Sequence, residues 1–475
     1  MIGIYLIGAF TISGVLFFNR NRVLNNVLVI CFLLLQCGFT LYEYSHINIP
    51  ELFYFKPDSL GVLMLITLTI ISIPAMYHSH IYLTTKEDDR RHQAIYYSAM
   101  VMLLTAISAA YLSNHIAVTW IFVEMTTLSA SALIYHRRNN RSLEGTWKYV
   151  FVCAISITLV FIGILFLSFA LQQAGSDDLS FNILLQRASG LNLFWLQLAF
   201  LFIFTGFTAK LGLVPMYTAG IDAKDKAPSP AGALLSSVLM NMGFVGIFRV
   251  YIIVAHTPLH SWANHVILIA ALLSIFVATV YMTKVKNIKR MLAYSSIEHM
   301  GLVMLGVVAG GIGYYAAILH IILHAFVKSS IFFQMGQIYR IYKSKSIYDT
   351  GNYFKYNLTG AMVMLLAFFI VTAMPPSGLF ISEFMIFRSL FVSGYFIVLV
   401  VVMLLLTMII WALGKNIFKL LFSLPVGFNE AGLEKIKPVE SLSQFILLGL
   451  VIYLGMNPPA QFVALIQDAI KNLPL

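Results

Sequence analysis

Glu124 and Lys210 are ionisable residues in otherwise apolar sequence. The first lies in Thr-Trp-Ile-Phe-Val-Glu-Met-Thr-Thr-Leu, the second in Phe-Thr-Gly-Phe-Thr-Ala-Lys-Leu-Gly-Leu-Val-Pro. Lys328 and Glu383 have similar surroundings. A charge at the centre of a bilayer costs about 2.5 to 3.5 kcal/mol on insertion scales, so an intramembrane ionisable residue is functional by default. Several in one chain point to a path for a small ion, most simply a proton. Burial weakens the hold of a lysine on its proton and a nearby carboxylate restores it. Moving such a partner is therefore a usable pumping device, and lysine suits it better than the permanently charged arginine.

His320, His324 and Lys328 follow i, i+4, i+8 spacing and share one helix face. With Ser329 and Ser330 nearby they suit a proton relay, because imidazole titrates near neutral pH. Two histidines four residues apart also suit a metal, but no third ligand or HExxH glutamate accompanies them, so no metal site is expected. Glu298 and His299 stand near the start of the tenth apolar run. They read as an inner-surface group, either a solvated cap or a proton entry. There is no phosphate loop, dinucleotide fingerprint, nucleophile elbow or cysteine cluster for iron–sulfur. Transport must then be driven by ion gradients or by partner subunits, and no cofactor is expected in this chain.

The elements that position these residues follow from composition. The chain is 60 % hydrophobic and 10 % charged, against about 25 % charged in soluble domains. The apolar runs are continuous rather than alternating, which favours helices over a barrel. The fold class is an all-α integral membrane protein. About fourteen spans fall near 2–18, 24–43, 58–83, 93–112, 115–135, 146–172, 194–216, 228–254, 262–283, 291–309, 313–340, 357–386, 392–414 and 440–460. Loops after odd-numbered spans carry the basic residues, among them Arg20, Lys86, Arg137, Lys224, Lys289, Lys343 and Lys415. The alternate loops carry little beyond Lys56, Arg187 and Arg388. This places the chain in the inner (plasma) membrane with both termini outside. It also explains the net charge of +11 without a nucleic-acid partner. The run Ile2–Phe18 reads as a retained first helix. Cys31, Cys37 and Cys153 read as small core residues, with no disulfide framework.

Two spans carry helix breakers beside a charge: Lys210 before Pro215, and Pro375-Pro376 before Glu383. Unwound backbone in a membrane is tolerated only inside protein or against a water-filled cavity. Interrupted helices at corresponding positions of two halves point to an inverted repeat with the transport path between. The expected organisation is three leading helices over 1–92 and a first five-helix repeat over 93–254. A second, inverted repeat follows over 262–414, then an amphipathic segment and last helix over 415–475. Pro425 and Gly427 lie in that amphipathic stretch, near 415–439.

The stretch Ala227-Pro-Ser-Pro230-Ala-Gly-Ala-Leu-Leu-Ser-Ser, running on to Gly-Ile-Phe-Arg249, resembles the antiporter-like proton-channel subunits of respiratory complex I and their Mrp relatives. So do Lys289-Arg290-Met-Leu-Ala-Tyr-Ser-Ser-Ile, His324…Lys328-Ser-Ser-Ile-Phe-Phe and Pro375-Pro376-Ser-Gly-Leu-Phe-Ile-Ser-Glu383-Phe. The Ser-Ile-Glu-His-Met-Gly and Leu-Phe-Ile-Ser-Glu-Phe versions look most like component F of hydrogenase-4 and related membrane-bound [NiFe] hydrogenase or formate hydrogenlyase complexes. The resemblance implies that Glu124 pairs with Lys210 and that Glu383 is the ionisable residue of broken helix twelve. It also shows two departures. Asn241, in Leu-Met-Asn-Met-Gly, stands where the family carries a lysine of the proton path. Tyr217-Thr-Ala-Gly-Ile-Asp222-Ala-Lys224 stands where it carries His-x-Trp-Leu-Pro-Asp-Ala-His. The implied function is proton translocation within a redox-driven assembly. The implied partners are other membrane subunits and a peripheral redox arm that holds any nickel–iron and iron–sulfur centres. The alternatives are an Mrp-type Na+/H+ antiporter subunit and a membrane scaffold of an inorganic-carbon uptake complex.

Overall fold

The computed structural model describes residues 1–84, 89–425, 428, 430 and 433–474. Lys86 and Gly427 lie outside them. Among the described residues there is no β-strand, and twelve helices are long and apolar enough to cross a membrane. The shorter Ile2–Phe18 helix and the broken pair Leu358–Val371 and Gly378–Val392 bring the passes to the fourteen expected. The shortest connections are real. One helix ends at Leu112 and the next begins at Ile116; another ends at Ala309 and the next begins at Ile312. The second reversal needs Gly310 and Gly311, at φ 69° and 53°, a region that side chains other than hydrogen rarely enter.

Both expected breaks are present. Leu193–Leu211 stops at Gly212, at φ 86°, and helix resumes only at Thr218–Lys226. Leu358–Val371 stops before Met374-Pro375-Pro376, and Ser377 caps the new start at Gly378 by accepting from the Phe380 amide at 3.2 Å. A third break was not expected. Ser237, at φ −125° and ψ −96°, divides Ser229–Ser236 from Val238–Ala255. An apolar run with no proline at that point gives no sequence signal for it.

The chain forms two compact units. The first comprises 1–227, 238–266 and 461–475, the second 228–237 and 267–460. This partition does not follow the expected repeat boundaries. Residues 228–237 belong to the second unit, where Ser229 packs against Gly336. The last residues belong to the first, where the Asp468 carboxylate accepts a hydrogen bond from Ser59. In the second unit, Ile288–Ala309 and Ile312–Tyr342 are buried along their lengths, whereas Phe396–Phe422 turns Val400, Leu404, Met408 and Trp411 outward. Buried helices carry the polar residues and the exposed helix is apolar, as a lipid-facing surface requires.

Over 415–439, where an amphipathic segment is expected, the described residues divide into two parts. Phe396–Phe422 continues through its first part, and the described residues after Phe422 stay non-helical until Pro438. The apolar run simply extends past Lys415 and Lys419, whose ammonium groups sit over the rings of Trp411 and Tyr348, 5.2 Å and 4.4 Å from their centres. Cys31 is exposed rather than buried, because it lies on the outward face of its helix; Cys37 is half-buried and Cys153 buried.

Ion pairs tie described residues of this stretch to the rest of the second unit. Arg340 pairs with Glu440 and, at 3.4 Å, with Glu434, and Lys343 reaches Glu434 at 3.6 Å. Glu430 accepts from Lys355 at 2.6 Å and from Tyr356 at 2.8 Å. These hydrogen bonds hold the exposed Glu430 carboxyl below its ordinary range. A lowered carboxyl pKa contributes stability above the unfolded value and loses it as pH falls. Limited proteolysis within 423–437 is therefore expected to speed up in acid and in high salt. Glu430→Gln is expected to do the same at neutral pH; an unchanged cleavage rate in all three conditions would count against the tether.

Candidate functional site

In the first unit, Lys210 occupies the last turn of Leu193–Leu211, where a cation complements the helix dipole. Its ammonium is buried and donates to Thr127 Oγ1 at 2.8 Å, Tyr149 Oη at 3.3 Å and Thr126 Oγ1 at 3.4 Å. Both threonines come from Ile116–Ile134, the helix that also carries Glu124. Glu124 is half-buried, and its Oε2 has no hydrogen-bond partner among the described residues. No ion pair joins it to Lys210 among those residues, so the implied pair is open and neutral hydroxyls take the place of the carboxylate. One turn before Glu124, the Trp120 indole donates to the Ile157 carbonyl at 2.9 Å.

The helix Val238–Ala255 forms the next wall. A Cβ on Gly243 would meet the Leu211 nitrogen at 2.4 Å and the Lys210 carbonyl carbon at 2.9 Å, so only glycine lets this helix approach the lysine so closely. Asn241 is fully buried, and neither polar atom of its carboxamide is hydrogen-bonded within the described residues. Lys224, expected in a solvated basic loop, is buried, with Nζ 3.0 Å from Met240 Sδ. Met240 also lies against Gly212, at the break that follows Lys210. Helix Thr218–Lys226 thus folds its lysine inward, and Lys289 is likewise buried, its Nζ 5.9 Å from the centre of the Phe332 ring. The only hint in the sequence was that Lys224 replaces a family histidine.

In the second unit the ionisable residues converge. Lys328 is fully buried and donates to Ser295 Oγ at 2.7 Å and to the Leu292 carbonyl at 3.3 Å. Ser295, Glu298 and His299 share a face of Ile288–Ala309. His299 Nε2 is 3.6 Å from Glu298 Oε2, and its Nδ1 is 3.1 Å from His320 Nε2 and 3.9 Å from Glu383 Oε1. His320 Nδ1 is 2.9 Å from Ser382 Oγ, which itself donates to the Leu379 carbonyl at 3.0 Å. The His324 ring centre lies 5.2 Å from that of His299. A cavity of about 240 Å³ reaches Glu298 and Glu383. Its wall is otherwise largely apolar, with Phe380, Phe384 and Leu413 among its residues.

Glu298 and His299 are not the solvated cap that is one of their two readings from sequence. Asn287 caps the helix before Ile288, so Glu298 lies about 15 Å along it at 1.5 Å per residue. Both side chains are buried in the core. The serine and threonine hydroxyls that link the charged groups were not legible, since such residues are common in membrane helices. Nor was Glu43, buried in the first unit with Oε1 lacking a hydrogen-bond partner among the described residues.

Residues 113–409 match the family described as NADH:quinone oxidoreductase/Mrp antiporter, transmembrane. The chain belongs to that family. It is 28 % identical over 409 residues to a hydrogenase-4 component F homolog of Methylacidiphilum infernorum, covering 83 % of this chain and 84 % of the relative. It is 26 % identical over 351 residues to hydrogenase-4 component B of Escherichia coli, covering 71 % of this chain and 51 % of that longer protein. This antiporter-like chain also shares its fold with a chain of the archaeal membrane-bound sulfane sulfur reductase, at a TM-score of 0.87 and 19 % identity, over 99 % of this chain and 96 % of the other. The resemblance to the antiporter-like family read from the motifs is borne out, and the relatives it most resembles include hydrogenase-4 components.

Proposed function

We propose that this chain is a proton-translocating membrane subunit of a complex-I-like, redox-driven assembly, of the hydrogenase type. The observation that carries the reading is a set of buried groups in the second unit: Lys328 donates to Ser295, and His299 lies 3.6 Å from Glu298, 3.1 Å from His320 and 3.9 Å from Glu383. Alternating donors and acceptors within hydrogen-bond reach, or one water apart, are what proton transfer requires. Among the described residues the fully buried Lys328 ammonium is hydrogen-bonded to a hydroxyl and a carbonyl and forms no ion pair, so it responds to charge placed on the neighbouring Glu298. Lys210 is held in the same way by three hydroxyls, with the Glu124 carboxylate apart from it. In this mechanism Glu124 is the movable charge. Its approach strengthens the hold of Lys210 on a proton, and its withdrawal weakens it. Asn241 and Lys224 line the continuation of the first site.

Redox energy enters from partner subunits that hold the metal centres, and this chain supplies the membrane path. The basic loops orient both termini to the outside of the inner membrane. The decisive experiment compares proton uptake by vesicles carrying the assembled complex with wild-type, Lys210→Ala or Glu383→Ala chain. Both variants are expected to assemble and to lose most of the proton signal. Normal uptake by both would end this reading.

A further inference from the structure

We propose that the second unit contains a binding site for one borderline divalent metal ion, of the Zn2+ class, formed by His299, His320 and Glu383. The inference stands on geometry and does not depend on the transport reading. Three potential ligand atoms, one from each residue, lie within 4.8 Å of one another. Two of the separations are 3.1 Å, from His299 Nδ1 to His320 Nε2, and 3.9 Å, from His299 Nδ1 to Glu383 Oε1. Ligands bound tetrahedrally at about 2.0 to 2.1 Å sit roughly 3.3 Å apart, so small side-chain rotations complete the set.

The neighbours of the ligands have the orientation that metal sites use. Ser382 Oγ spends its own proton on the Leu379 carbonyl, so it accepts from His320 Nδ1 and leaves the lone pair of Nε2 facing the other two ligands. Glu298 stands 3.6 Å behind His299 Nε2, the position of the carboxylate in a carboxylate–histidine–metal triad. On binding, the metal takes the lone pairs of His299 Nδ1 and His320 Nε2 and one oxygen of ionised Glu383. The proton between the two imidazoles leaves Nδ1, and His299 Nε2–H then faces Glu298. Two imidazoles and one carboxylate favour Zn2+, Co2+ or Fe2+ over Na+ or Ca2+, and three protein ligands leave one coordination position open. The cavity that reaches Glu383 supplies the entry path. The pair four residues apart, His320 and His324, is not the pair that converges with a third ligand.

The test titrates the full chain, purified in detergent micelles, with Co2+ and Zn2+. One equivalent is expected to bind, with the visible d–d bands of four-coordinate Co2+. His299→Gln, His320→Gln and Glu383→Gln are each expected to abolish those bands, and His324→Gln to keep them. Ser382→Ala is expected to weaken binding about 10- to 100-fold. No stoichiometric uptake by the wild-type chain overturns the site, as does loss of the bands in His324→Gln with retention in His299→Gln. If the ligand variants fail to fold, Ser382→Ala decides: weakened binding supports the site and unchanged affinity overturns it. Zn2+ bound here would also block translocation; that second effect rests on the transport reading, while the titration does not.

Discussion

Lys328→Met is expected to lower proton translocation roughly 100-fold, the scale of removing a positioned proton-transfer group, while leaving the protein folded. Lys328 is fully buried and, among the described residues, its ammonium donates hydrogen bonds to Ser295 Oγ and the Leu292 carbonyl alone. Methionine keeps most of the side-chain volume and removes a charge that is costly to hold away from water. The two neighbouring oxygens keep other options: Leu292 O is a helical carbonyl, and a serine hydroxyl can turn to its own helix backbone. The unfolding temperature in detergent is therefore expected to stay the same or rise. This separation of transport from folding is what the measurement must show, with vesicle proton uptake on one side and thermal unfolding on the other. Full translocation by a folded Lys328→Met chain would remove this lysine from the path.

The largest stability effect is expected at Gly455, which carries no chemistry. A Cβ there would come within 2.1 Å of Gly378 Cα and 3.0 Å of its nitrogen. Two backbones touch at this point, so neither can yield by rotating a side chain. Gly455→Ala is expected to destabilise the second unit by about 3 kcal/mol or more, at or above the upper end of ordinary overpacking. It also pushes on the start of Gly378–Val392, the half-helix that carries Ser382 and Glu383. Transport should fall together with stability. Gly449→Ala is the internal control on the same helix, because a Cβ there meets nothing within 4 Å. Thermal unfolding of the two variants side by side decides the matter, and equal stability would show that the backbone contact relaxes freely.

The fold was legible because its signals are long and redundant. Apolar runs, basic loops and turn residues agree with one another, and even the very short connections, three residues at 113–115 and two at 310–311, fall where the sequence puts them to within one residue. Proline marked two of the three breaks; the one at Ser237 has no such marker. Glu124, Lys210, Lys328 and Glu383 stood out because charge in an apolar run is costly. What the sequence concealed was depth and partnership. Glu298 and His299 follow Lys289 and Arg290 closely, which suggested a surface, although ten residues of helix separate Ile288 from Glu298. Lys224 looked like another basic loop residue, yet its helix turns it inward. The partners of each charge come from other helices: Thr127 for Lys210, Ser295 for Lys328 and His299 for His320. Their pairing is a property of packing between helices, whether consecutive, as for Ser295 and Lys328, or distant in the chain, as for Thr127 and Lys210.

Trp120 gives the first site an optical use. The chain has only five tryptophans, so its emission is simple to resolve. Trp120 is fixed by its hydrogen bond to Ile157 and sits one helical turn from Glu124. The emission wavelength of an indole responds to nearby charge. A carboxylate that moves, gains a proton or loses one beside it therefore writes a spectral shift onto a native fluorophore. In a chain where the other four tryptophans are replaced by phenylalanine, the proposed movement of the Glu124 carboxylate would be visible in real time without any attached dye.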